Sequence, residues 1–188
     1  MYIYEIVIRY NSNWGAVGYG CFLLLLGIIV CFVAQLHRYR KVSFFQCLAC
    51  IMLFIYAWTV LESTVFTRSP QANPQYELRI FWSWKVIFRY HEWKLLKENI
   101  LNCLLLMPCG CLLPIAMGKK IVWKRGLMIG VIFSMIIELL QFITCRGLFE
   151  FDDIIHNGIG CMMGAVLGSW CWLRMLKKFK MPRKPHAS

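Results

Sequence analysis

The chain has 188 residues, of which 60% are hydrophobic and 15% aromatic, and its mean hydropathy is +0.58. A water-soluble domain is about 45–50% apolar, so the composition excludes an ordinary soluble core and calls for several membrane spans. The net charge of +12 would suggest nucleic acid in a soluble protein; here Lys and Arg fall between and after apolar runs, so membrane topology and anionic lipid account for them and no nucleic-acid partner is expected.

The first 13 residues contain Glu5 and Arg9 and lack a small-residue cleavage site, unlike a cleaved signal peptide. Five runs then approach the ~20 apolar residues that a helix needs to cross the hydrocarbon core: 14–36, 43–66, 98–117, 121–144 and 153–173. Each must be helical, because an open strand leaves its backbone unsatisfied in lipid. The predicted fold is an all-α polytopic bundle, one membrane domain over 1–188. Three basic segments, "HRYRK" at 37–41, "GKKIVWKR" at 118–125 and the tail from Arg174, alternate as one cytoplasmic side requires. That places the amino terminus outside and the carboxyl terminus inside. The tail, 174–188, reads as a disordered basic end held near anionic lipid.

The segment 67–97 strains this topology, since it carries Arg68, Arg79, Lys85, Arg89, Lys94 and Lys97 on the outer side. "RSPQANPQ" reads as a loop broken by Pro70 and Pro74. In "LRIFWSWKVIFRYHEWKLLK", Ile80, Trp84, Ile87 and Tyr90 or His91 recur near helical spacing. An amphipathic helix over 79–97 is expected, either lying on the outer leaflet or packing over the bundle. Pro108, Gly110 and Pro114 are expected to kink the third span and free backbone carbonyls. The ten cysteines lie mostly inside apolar runs and act as small hydrophobes; no metal and no cofactor is expected.

The polar residues of the spans all fall at one level. Asn99 and Asn102 open the third span, three apart. Glu138 and Gln141 lie near the end of the fourth, again three apart and so on one helix face. Arg146 is on the short connection, Asp152 and Asp153 start the fifth span, and Asn157 lies one turn deeper. Ionisable groups in spans are costly and usually face a bundle interior or a wet cavity. A shared outward-facing pocket is the economical arrangement. Each residue also has a structural reading: Asp152 or Asp153 as a helix cap, Glu138 paired with Arg146, Gln141 as a bridge between helices. Gly160, Gly164 and Gly168 recur every four residues and predict close helix packing, against the third or fourth span or against a second copy as a homodimer.

"ENILNCLLLMPCGCLLP" followed by "IIELLQFITCRGLFEFDDIIHNGIGCMMGAVLG" resembles the VanZ-like family of bacterial membrane proteins. The matching residues are Asn99, Asn102, Pro108, Gly110, Pro114, Ser134, Glu138, Gln141, Arg146, Phe151, Asp152, Asp153, Asn157, Gly160 and Gly164, within a core of about 43–173. Glu150 stands where the family often has Asp, His156 where it has an apolar or amide residue, and Cys109 and Cys111 flank Gly110. The resemblance implies a bacterial cytoplasmic membrane protein and, for founding members, low-level resistance to teicoplanin and related lipoglycopeptides. It implies no reaction.

Three functions remain open at this stage. The leading one is binding of an amphiphile, whether a lipoglycopeptide, a lipid headgroup or a cell-wall precursor, with Arg146 meeting an anionic group and Glu138, Asp152 and Asp153 meeting cationic or hydroxyl groups. The second is acid–base chemistry on a lipid-linked substrate by Glu138 with Asp152 and Asp153, with Asp152, Asp153 and His156 as a conceivable metal set. The third is transport through a dimer. Membrane lipids are expected partners in all three.

Overall fold

The computed structural model describes residues 14–178. The readings made for the first 13 residues and for the tail beyond Lys178 lie outside the described residues. Six α-helices and two short strands follow in order: α1 (Trp14–Arg38), α2 (Phe44–Leu61), β1 (Gln75–Glu77), α3 (Trp82–Tyr90), α4 (Trp93–Met117), α5 (Trp123–Thr144), β2 (Leu148–Glu150) and α6 (Phe151–Lys178). All but α3 are long and apolar enough to cross a membrane, so the chain is an all-α, multi-pass membrane protein.

Local chemistry sets several boundaries. Ser43 accepts from the backbone of Gln46, and the Gln46 side chain accepts from the backbone of Ser43, a capping box that starts α2. The end of α2 widens into a π-helical turn, Glu62–Phe66. Gly118 closes α4 in the left-handed conformation that favours glycine (φ 63°). Pro108 and Pro114 sit inside α4 without ending it, and the Tyr56 hydroxyl donates to the Leu105 carbonyl (3.0 Å), one turn before Pro108.

The bundle is a row. α1 packs on α2, α2 on α4, α4 on α6, and α6 on α5. Glycines make the last two contacts possible. A Cβ placed at Gly160, Gly164 or Gly168 would overlap the backbone carbonyl of Cys103, Met107 or Cys111 on α4. On the other flank, Gly126 and Gly130 of α5 receive Cys161 and Ala165 of α6. Gly110 of α4 completes the fit beneath Cys161. The Gly160 stripe is thus filled by the third span of the same chain. In lipid such shape fit supplies attraction that the hydrophobic effect does not. Leu106, Ile137, Cys161 and Ala165 are buried at the centre.

Several boundaries differ from the sequence reading. The third span begins at Trp93, not at 98, and the fifth at Phe151 and runs to Lys178. The amphipathic helix expected over 79–97 is only nine residues long, because His91 takes a left-handed conformation (φ 56°) and separates α3 from α4. The strand pair was not foreseen: β1 and β2 run parallel, with Gln75, Tyr76 and Glu77 opposite Leu148, Phe149 and Glu150. Edge-on aromatic contacts of Tyr76 with Phe142, of Phe142 with Phe149 and of Phe149 with Phe151 knit this pair to α5 and α6.

Candidate polar site at one end of the bundle

The end of α2, the start of α4, the end of α5 and the start of α6 all arrive at one end of the bundle, which α3 and the strand pair cover. Asn99, Asn102, Glu138, Gln141, Arg146, Asp152 and Asp153 lie at this end, and Asn157 stands one turn deeper. Most of them are fixed by a partner on another element.

Asp152 is 1% exposed and organises α3 rather than its own helix. Its carboxylate accepts from the Phe81 amide (2.5 Å), the Ser83 amide (3.1 Å) and the Ser83 hydroxyl (2.6 Å). These are the orphan donors of a helix start, satisfied here by a carboxylate from another helix. The contact also holds Phe81 in a left-handed conformation (φ 58°) that a non-glycine residue rarely takes. Asn99 donates to the Ser83 hydroxyl (3.1 Å), so α4 joins the same node. Next to it, the Trp84 indole donates to His156 Nε2 (2.9 Å).

Gln141 and Arg146 serve the second span. Gln141 donates to the Thr64 carbonyl (3.0 Å). The Arg146 guanidinium donates to the carbonyls of Val65 (3.3 Å) and Phe66, at the open end of the π-helical turn. Arg146 is buried, and burial lowers its pKa from the usual guanidinium value. The reading of Arg146 as the partner of Glu138 gives way to this carbonyl contact.

A second node joins α4, α5, β2 and α6. Glu138 accepts from the Glu150 amide (3.0 Å), Glu150 accepts from the Trp82 indole (3.1 Å), and Asp153 accepts from the Asn102 amide (2.5 Å). The three carboxyl groups act on one another electrostatically, and Asp152 and Glu98 add to the same negative field. Burial and the neighbouring Asp153, Asp152 and Glu98 push Glu150 up to about 7. Arg68 supplies opposing charge, with its guanidinium over Gly147. One turn deeper, Asn157 donates to Ser134 Oγ (2.9 Å), and its Oδ1 has no partner although the residue is only 2% exposed.

Asp152, Asp153 and His156 do not converge as a metal set: they turn toward α3, Asn102 and Trp84 respectively. Among the described residues, no three His, Cys, Asp or Glu side chains are placed to hold an ion. The sequence pattern does not point to Ser83, Trp82 or Thr64, marks Trp84 only as part of an amphipathic face, and gives Glu150 and Arg68 no part in the site. Ser83 lies in an aromatic run with no helix-start signature. Glu150 and Arg68 enter only because the strand pair folds the two loops together.

A family model for VanZ/LLP1 matches residues 42–173. The chain belongs to this family. The matched region of this VanZ/LLP1 member begins just before α2 and contains both strands, α3 and every residue of the two nodes, while α1 lies outside it. Among curated proteins and solved structures, none matches the chain.

Proposed function

We propose that this VanZ/LLP1 member binds the polar head of a membrane amphiphile at the second node, on the extracytoplasmic side of a bacterial membrane. The observation that carries this reading is the set of free acceptors. Glu138, Glu150 and Asp153, from three separate elements, each have one carboxylate oxygen held by a protein donor, and among the described residues no donor meets the other. A structural ion-pair network would close on itself, whereas here acceptors outnumber the donors that the described residues supply. The sidedness follows from the opposite end, where Arg40, Lys41, Lys119 and Lys120 fill the short loops, and Lys124, Arg125, Arg174 and Lys177 lie close by. The exposed aromatics Phe81, Phe88, Tyr90 and Trp93 with Lys85 and Arg89 support a position of α3 and the start of α4 at the membrane–water boundary.

Binding of a lipoglycopeptide or of an envelope lipid would then alter glycopeptide susceptibility. Glu138→Gln and Asp153→Asn, produced at wild-type level in the membrane, abolish any change in teicoplanin susceptibility that the wild-type chain confers. Unchanged susceptibility from either variant contradicts the reading. A second reading, acid–base catalysis on a lipid-linked substrate, is favoured by Glu150, whose pKa of about 7 suits proton exchange near neutrality. Chemical alteration of an added lipid by wild type but not by Glu150→Gln would select it.

A further inference from the structure

We infer that the group taken into the second node is a primary ammonium, carried on the head of the bound amphiphile. The inference rests on the amphiphile reading and names the chemistry of that same site. What the seam between α5 and α6 lacks is donors. Glu138, Glu150 and Asp153 each leave one oxygen without a donor among the described residues, and these oxygens come from α5, β2 and α6. Beneath them lies an independent orphan. Asn157 shares a face of α6 with Asp153 at four-residue spacing, and its amide nitrogen is bound to Ser134, which stands four residues below Glu138 on α5. Asn157 thus lies one helical turn, about 6 Å, below Asp153, and its Oδ1 is buried with no donor among the described residues.

A buried carbonyl without a donor is costly, and so is a group of carboxylates opposed chiefly by Arg68. An ammonium answers both at once. It brings positive charge and three N–H donors in a compact head. A quaternary ammonium brings the charge without the donors. A neutral hydroxyl brings a donor without the charge. An anionic head meets the wrong field. Arg68, exposed at the mouth beside Gly147, is placed for a phosphate next to the amine. The amine could come from a membrane lipid or from an amine-bearing antibiotic; the recognising chemistry is the same.

The test is native mass spectrometry of the full chain in detergent, titrated separately with phosphatidylethanolamine, phosphatidylcholine and phosphatidylglycerol of identical acyl chains. Free phosphoethanolamine and teicoplanin serve as competitors. We expect phosphatidylethanolamine to bind about 10-fold more tightly than either other lipid, in line with charge-assisted hydrogen bonds. That preference falls to near parity in Asp153→Asn and in Glu150→Gln; the latter lies outside the helix–helix contacts and keeps the fold. Displacement by phosphoethanolamine shows that the head suffices, and displacement by teicoplanin alone assigns the amine to the antibiotic. Equal binding of all three lipids, still weakened by Asp153→Asn, overturns the ammonium inference and leaves the amphiphile reading standing. Binding that neither variant changes overturns both.

Discussion

Two helices of the row, α1 at its edge and α6 inside it, use glycine in opposite ways. α1 contains Gly15, Gly18, Gly20 and Gly27, and a Cβ added at any of them would meet nothing. α6 contains Gly158, Gly160, Gly164 and Gly168, and a Cβ at any of them would run into a neighbouring helix. Similar glycine content therefore marks a loosely attached span in one place and the tightest contact of the molecule in the other. The difference is what surrounds the glycines. On α6, Gly160, Gly164 and Gly168 recur at four-residue spacing between Asn157 and Ser169, polar groups that must find partners inside the bundle. On α1 they are set among exposed Leu, Val and Ile side chains that lipid can solvate.

That contrast is open to mutation. The largest effect is expected at Gly160: Gly160→Leu forces a side chain into the Cys103 carbonyl, costs upward of ~3 kcal/mol, and prevents a folded protein from being recovered in detergent. A wild-type melting profile for that variant would break the comparison. Asp152→Ala leaves two amides and a hydroxyl at the start of α3 without their acceptor. It is expected to cost about 2–3 kcal/mol, and hydrogen exchange should rise over 81–90 while the α4–α6 contact stays protected. At the other end of the bundle, Ser169 accepts from the Ile121 amide and donates to its carbonyl. Ser169→Ala should cost about 1 kcal/mol in thermal unfolding.

The pH dependence sharpens the same map. Glu150 is raised to about 7, so the folded protein favours its neutral form. That contribution is fully present below the ordinary carboxylate pKa and is lost as pH rises through about 7. Thermal stability of wild type in detergent should therefore decline between pH 5 and pH 8, and Glu150→Gln should flatten the decline. The smallest effect is expected in α1. Gly20→Leu and Gly27→Leu should change stability by less than about 0.5 kcal/mol; a large loss from either would show that the first span is packed after all.

The five spans were legible because apolar runs of membrane length leave the backbone no choice but a helix. The shared level of the polar residues followed from the same span order. The partners did not. Asp152 at a helix start signals a cap, and it does cap a helix, but one reached only after the chain folds back over 71 residues. Arg146 beside a buried acid suggests an ion pair, yet the carbonyls at the open π-helical turn take it, and that turn leaves no mark in the sequence. Gly126 and Gly130 form a GxxxG element as plain as that of α6, and its spacing alone would have revealed the second tight face. The three-residue strands are too short to show period-two patterning, so their capture of Glu150 had no signal.

The central claim is that a free carboxylate set at the outer end of α5 and α6 takes the head of an amphiphile. The most direct measurement is photolabelling of the full chain in phosphatidylethanolamine vesicles doped with a lipid that carries a diazirine on its headgroup, followed by peptide mapping. The account predicts label concentrated in residues 138–157 and strongly reduced in Asp153→Asn. Label spread evenly over the exposed ends of α1 and α3, and indifferent to that substitution, would contradict it.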